Sequence, residues 1–170
     1  DRFSFSVDGN ATDVGDMSSA RQNPSGTSST THGYISGGYL SGTYTNIIDK
    51  FQFTSSANAS NIADLTVGRN GGAGISSTTH GYCSGGNGPI TNVIDKFTFA
   101  SDANATDVGD LTQSKLGMAG AGSHTFGYWA GGSTASPSNV IEKSSYATDG
   151  NSTDVGDCTV SLFTRAGTHV

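Results

Sequence analysis

The chain has 170 residues, with 14 Asp and Glu against 8 Lys and Arg and a formal net charge of −6. That balance disfavours nucleic acid as a partner, because phosphate-backbone binding needs a basic stripe. Hydrophobic residues are 33% and charged residues 13%, and no apolar run approaches the ~20 residues of a membrane span. Small and polar residues fill the gap, with 25 Gly, which leaves either a low-complexity linker or an all-β fold with many turns. Eight Phe and six Tyr at regular positions favour the folded class. The chain opens on "DRFSF" rather than on Met or a leader, so the expectation is a processed start or an upstream part. Cys83 and Cys158 give neither a disulfide framework nor a metal-ligand spacing.

Residues 1–16, "DRFSFSVDGNATDVGD", read as a strand with alternating phenylalanines, an Asn/Asp-rich turn and a second short strand. Arg21 follows the closing Asp16 by five residues. "GTSST" and "HGYISGG" then read as a pair of strands around a Thr-His turn, ending on Gly37 and Gly38. A longer loop, "YLSGTYTN", leads into "DKFQFTSSANASNIAD" at 49–64, a second copy of the opening block. Arg69, "AGISST" and "HGYCSGG" repeat the next stretch, and "DKFTFASDANATDVGD" at 95–110 copies the block again. Lys115, "FGYWAGG" at 126–132 and the worn copy "EKSSYATDGNSTDVGD" at 142–157 complete the series. The closing acids Asp16, Asp64, Asp110 and Asp157 are spaced 48, 46 and 47 residues apart, and Tyr34, Tyr82 and Tyr128 are spaced 48 and 46. Two independent markers with one period define a tandem array, of the size seen in propellers and solenoids.

In "TNVIDKFTF", Val93, Phe97 and Phe99 share one face while Ile94, Lys96 and Thr98 share the other, so this strand is expected between two neighbours. No stretch has helical periodicity. Each unit holds about four short strands, and one repeat domain, 1–170, divides approximately into units 1–48, 49–94, 95–141 and 142–170, the last incomplete.

Arg69, then Tyr82 and the diglycine Gly85-Gly86, then Val93, Asp95 and Phe97, form a pattern that resembles the kelch repeat. Arg21 with Tyr34, Gly37 and Gly38 repeats it, as does Lys115 with Tyr128, Gly131 and Gly132. The pattern departs from the family at the Trp of the fourth strand, where Val14, Ile62, Val108 and Val155 stand. "NATDVGDLT" with "SSTTHGY" is also similar to kelch-type repeat proteins of aquatic bacteriophages and microbes, whose repeats sit in tail fibres and surface structures. The resemblance implies an all-β, kelch-like β-propeller of about four four-stranded blades, or a segment of a larger ring. A β-solenoid is the alternative for so Gly/Ser/Thr-rich a chain. The diglycines would supply positive φ and close approach between blades. The chain counts to almost four blades, with "AGTHV" as a last first strand and Val170 as a C-terminus if the termini pair to close a ring.

Candidate sites follow from the same residues. "DGNATDVGD" places Asp8, Asn10 and Thr12 like calcium-loop ligands, but Asp13 stands where such a loop needs Gly, and a hydrogen-bonded turn is the stronger reading. Asn10, Asn58, Asn104 and Asn151 each begin an Asn-x-Ser/Thr sequence, a glycan acceptor on a eukaryotic secretory route and otherwise a turn former. His32 and His80 occupy equivalent turns where the third copy has Phe126, which argues against a shared metal site or a triad. Cys83 beside Tyr82 is similar to the thioether site of kelch-type sugar oxidases, yet Ile35 and Trp129 fill its equivalents. Both cysteines are expected as small buried residues.

Alternating strand direction puts the connections between second and third strands on the same face as those between units. That face would gather Tyr39 and Tyr44 with Arg21, Arg69 and Lys115, a mixture suited to acidic glycans or a protein partner. Equally, each cation could anchor its own unit by pairing with the Asp five residues upstream. Near-identical units favour a non-catalytic structural or recognition module, extracellular or on a virion, without cofactor and able to self-associate. A carbohydrate-active enzyme or lectin is the alternative.

Overall fold

A computed structural model describes residues 1–163, in which every regular element is a β-strand. The expected first strand at "AGTHV" and the reading of Val170 as a terminus lie outside the described residues. In chain order the strands are β1 (Ser25–Ser28), β2 (His32–Ser36), β3 (Tyr39–Leu40), β4 (Thr43–Tyr44), β5 (Ile47–Gln52), β6 (Ser60–Asp64) and β7 (Ala73–Ser76). They continue with β8 (His80–Ser84), β9 (Val93–Thr98), β10 (Thr106–Asp110), β11 (Ala119–Gly122), β12 (Phe126–Ala130), β13 (Ser138–Ser145) and β14 (Thr153–Leu162).

Three four-stranded sheets form, β1-β2-β5-β6, β7-β8-β9-β10 and β11-β12-β13-β14, and β3-β4 makes a separate hairpin. All pairings are antiparallel between chain neighbours within a unit. Among the described residues no strands pair in parallel from one unit to the next, as the rungs of the solenoid alternative would. Each sheet begins at the strand before the "HGY" phrase, half a repeat later than units drawn from residue 1. Residues 1–16 form no strand and hold a single Arg2–Thr12 bridge, at the position of the Lys50–Ser60 and Lys96–Thr106 pairs.

The sheets stack face to face, because no single sheet can bury both of its apolar faces. Tyr34, Ile48, Ala63 and Leu65 of the first unit pack on Cys83, Phe97 and Ala105 of the second. A second core joins Ala73, Ile75, Tyr82, Ile94 and Leu111 to Met118 and Trp129 of the third. β9 shows why its sequence is apolar on both faces: Ile94 belongs to one core and Phe97 to the other. The first strands lie closest together, with β7 between β1 and β11, and the Ser28 N–H donates to Ser76 Oγ at 2.9 Å. Gly74 permits this approach, since any Cβ there would strike the Gly26 carbonyl.

The volume between sheets is filled in two ways. In the second sheet the Phe97 ring covers Gly81. In the third sheet the residue equivalent to Phe97 is Ser144, and the space over the matching Gly127 is taken by Ile75 of the second sheet, with Tyr146 and the Trp129 indole beside it. Trp129 stands where the second sheet has Cys83, so a large–small pair has exchanged places.

Candidate functional site

The three candidate cations are not surface groups. Arg21, Arg69 and Lys115 sit in the connections before β1, β7 and β11, and their side chains are at most 1% exposed. Their partners are Asp49, Asp95 and Glu142 on the third strand of the following sheet. This corrects both expectations: the cations do not line a binding surface, and they do not pair with Asp16, Asp64 or Asp110. The reason is geometric: the buried third-strand acid lies within reach of each cation, while the fourth-strand Asp16, Asp64 and Asp110 are tied by their N–H groups to Asn58, Asn104 and Asn151 of the next unit.

Each acid meets one cation and two further donors. Asp49 accepts from Arg21 at 3.0 Å, from the Ser18 N–H at 2.9 Å and from the Ser18 hydroxyl at 2.6 Å. Asp95 accepts from Arg69, from the Thr66 N–H at 3.0 Å and from the Thr66 hydroxyl at 2.6 Å. Glu142 meets Lys115 Nζ at 2.5 Å, the Thr112 N–H at 2.8 Å and the Ser152 hydroxyl at 2.5 Å. A buried carboxylate without such partners would be strongly unfavourable.

The same residues hold the preceding sheet through their backbone. The Arg69 carbonyl accepts from the Gly38 N–H at 2.8 Å, and the Lys115 carbonyl from the Gly86 N–H at 2.9 Å. A Cβ on Gly37 or Gly85 would strike those carbonyls, and φ is +68° and +61° there. The diglycine therefore supplies both the left-handed backbone and the space. One residue thus fastens two sheets, by its main chain to one and its side chain to the next.

Burial alone would raise the Glu142 carboxyl, but hydrogen bonds from Lys115, Ser152 and Thr112 and the Lys115 charge hold it below its ordinary 4.5. A depressed acid contributes stability above its unfolded value and loses it as pH falls through its folded one. The stability gap between wild type and Glu142→Gln should be full at neutral pH and narrow once pH drops below 4.5, read by thermal melts across an acid series.

Tyr39 and Tyr44 face one another across the β3–β4 hairpin, ring centroids 5.1 Å apart. Ser41 and Gly42 close it, with φ of +46° and +92°, the geometry of a two-residue type I′ turn. The Gln22 N–H donates to the Tyr39 carbonyl at 2.9 Å and the Tyr39 N–H returns the bond at 2.9 Å. Asn70–Asn87 and Leu116–Ser133 make the equivalent bridges. The two classes of connection therefore meet on one face. Tyr44 also has a packing role: its hydroxyl accepts from Asn87 Nδ2 at 3.1 Å, and its ring fills the space above Gly88. Tyr39, Leu40 and Ser41 line a recess with Ala20, Arg21 and Gln22, although the Arg21 side chain itself is buried against Asp49.

At the opposite end the turns are uniform. Ser29 Oγ accepts from the Thr31 and His32 N–H groups, Ser77 Oγ from Thr79 and His80, and Ser123 Oγ from Thr125 and Phe126. Thr31 Oγ1 and Thr79 Oγ1 lie 2.8 Å from Nδ1 of His32 and His80. Burial, with Lys96 nearby, keeps His80 below its usual value, which favours the neutral ring. A cleft of about 490 Å³ between the second and third sheets brings His80 and His124 beside Phe126 and Tyr146. Among the described residues no group of three or more His, Cys, Asp or Glu could hold a metal. No helix there is long and apolar enough to cross a membrane.

Asn58, Asn104 and Asn151 are exposed in the turns between third and fourth strands. Their Oδ1 atoms each accept at 3.0 Å from the N–H of Asp16, Asp64 and Asp110 in the preceding unit. This link gives the recurring Asn a structural use in every described junction. Cys83 is fully buried, its thiol pushed up by desolvation and bonded to Ser25, whereas Cys158 is only half-buried, contrary to expectation. Both are free thiols.

No protein-family model matches the chain, and no curated protein matches it. The sequence alone did not pair the cations with Asp49, Asp95 and Glu142. A signal was present: the one unit with Lys in place of Arg is also the one with Glu in place of Asp. Lys reaches one bond less far than Arg, and Glu one methylene further than Asp, so the combined reach is kept.

Proposed function

We propose that this chain is a non-catalytic recognition and structural module with a kelch-like propeller architecture, displayed on a virion fibre or extracellular surface. What supports the architecture is the face-to-face stacking of four-stranded antiparallel sheets with their first strands innermost. The observation that carries the functional reading is where the units differ. Acids, cations, diglycines and turn serines recur, while the connections between second and third strands diverge, from "YLSGTYTN" to "NGPITN" to "STASPSN". A scaffold that repeats its fasteners and varies one class of loop is suited to display.

In this reading the Tyr39–Tyr44 hairpin contacts a glycan or a protein surface, with tyrosine rings supplying area at low entropic cost. Tyr39→Ser tests it, because Tyr39 lacks the Asn87 and Gly88 contacts that make Tyr44 structural. On a glycan array or in protein pull-downs the variant should lose about tenfold or more in affinity while keeping its melting temperature. Unchanged binding by Tyr39→Ser would remove the hairpin as the contact face. A lectin reading is favoured by one feature, the cleft with His80, His124, Phe126 and Tyr146; binding lost in Tyr146→Ala but retained in Tyr39→Ser would select it.

A further inference from the structure

The turns that join first to second strands read "SSTTHGY" in the first two units and "GSHTFGY" in the third. Past the third strand, Phe53 and Phe99 of the first two units are answered by Tyr146 in the third. His124, in place of Thr30 and Thr78, and Tyr146 therefore both break the repeat. Both also border the cleft of about 490 Å³ between the second and third sheets. Each of those sheets has its four strands, and the lining runs from Ser77 to Ala147. The cleft thus belongs to an internal junction between two fully described units.

Its walls are of two kinds. Rings come from Tyr82, stacked on Tyr146 at 5.0 Å, and from the imidazoles of His80 and His124. In the preceding junction Tyr34 is flanked by Phe97 at 5.5 Å and Phe99 at 4.8 Å. Tyr82 keeps the second of these neighbours as Tyr146, while Ser144 stands at the Phe97 position. Hydroxyls come from Ser77, Thr79, Thr125 and Ser145. Among the described residues, none that lines the cleft carries a carboxylate, an ammonium or a guanidinium. The lysines of the flanking third strands are engaged elsewhere: Lys96 pairs with Asp149 at 2.9 Å, and Lys143 Nζ lies 4.8 Å from the centre of the Phe126 ring. The Tyr146 hydroxyl donates to the Ser76 carbonyl at 3.3 Å, which fixes the ring. Thr79 Oγ1 holds His80 Nδ1 at 2.8 Å and leaves Nε2 for a ligand. Burial, with Lys96 nearby, keeps His80 below its ordinary value, so this ring stays neutral at neutral pH.

We infer that this cleft binds an uncharged saccharide, with His124 and Tyr146 as the residues that set it apart from the junction before it. The inference rests on the lectin reading of the same cleft and names the class of sugar. A sugar ring presents apolar C–H faces, which suit aromatic rings, and hydroxyls that both donate and accept, which suit Ser, Thr and neutral imidazole. An acidic glycan would have to lay its carboxylate or sulfate in the cleft without a facing cation, which is costly. The volume falls within the range of small-ligand sites, about 300–1,000 Å³, and is too small for a folded partner.

A glycan array that carries neutral glycans beside sialylated and sulfated ones, probed with the full chain, is the test. Neutral glycans should bind, and Tyr146→Ala should weaken that binding about tenfold or more. His124→Thr with Tyr146→Phe is the cleaner variant, since it writes the residues that the first two units carry at those positions and should fold as they do. It should also lose about tenfold while keeping its melting temperature, and Tyr39→Ser should bind the same glycans as wild type. Neutral glycans bound equally well by the double variant would overturn the inference. So would binding confined to acidic glycans; if Tyr146→Ala abolishes that acidic binding, the lectin reading survives and only the class of sugar falls. No glycan bound, or binding lost in Tyr39→Ser alone, would remove the lectin reading and the inference together.

Discussion

Arg69→Met should destabilise the protein by about 3–5 kcal/mol, the cost of stranding a buried carboxylate. Asp95 is fully buried, and without the guanidinium only the Thr66 N–H and hydroxyl would face it. Asp95 would then unfold the chain or take up a proton, so the loss should shrink in acid. Removing both charges would still leave the Thr66 donors unmatched, so an apolar double variant should not recover fully. Arg69→Lys with Asp95→Glu should recover most of it, because that pairing already exists at Lys115 and Glu142. Either single exchange should fare worse than the double. Urea titrations followed by Trp129 fluorescence would read all five variants. A cost below about 1 kcal/mol for Arg69→Met would show that the pair contributes no more than an exposed one.

Trp129→Ala should cost about 3–5 kcal/mol by opening a cavity at the junction between the second and third sheets. The side chain is fully buried among Ile75, Tyr82, Ile94 and Met118. Its indole N–H has no hydrogen-bond partner among the described residues, so the contribution is packing rather than polar bonding. The second sheet suggests the compensating change. Trp129→Cys with Ser144→Phe would rebuild the Cys83–Phe97 arrangement, in which a phenyl ring from the third strand covers the second-strand glycine. The double variant should therefore recover a large part of the loss, while Ser144→Phe alone should overpack the junction. Far-UV circular dichroism melts suit this series, since it removes the only Trp. Additive costs in the double variant would mean that the two positions do not share one volume.

Much of this was legible because a repeat shows the same sentence several times. The period, the strand content and the turns around Ser29, Ser77 and Ser123 all follow from local patterning. β9 also announced its position between two neighbours, through Ile94 on one face and Phe97 on the other. The cations were misplaced because sequence distance ranks Asp64 before Asp95 as a partner for Arg69, while the sheet places Asp95 beneath it. Long-range pairing across a strand connection leaves no periodic trace. It leaves a correlated exchange, here Lys115 with Glu142, and likewise Trp129 with Ser144. The hairpin residues were readable as loop chemistry, but Tyr44's contact with Asn87 of the next unit was not, because nothing local encodes it.

The double duty of Arg69 and Lys115 sets an order of events during synthesis. When Arg69 leaves the ribosome, its carbonyl can already accept from Gly38, but Asp95, 26 residues further along the chain, has yet to emerge. Each sheet is thus handed a charged side chain whose counterion arrives only with the following unit. Nascent chains arrested midway through a unit should be protease-sensitive at that boundary and become resistant once the next acid is exposed.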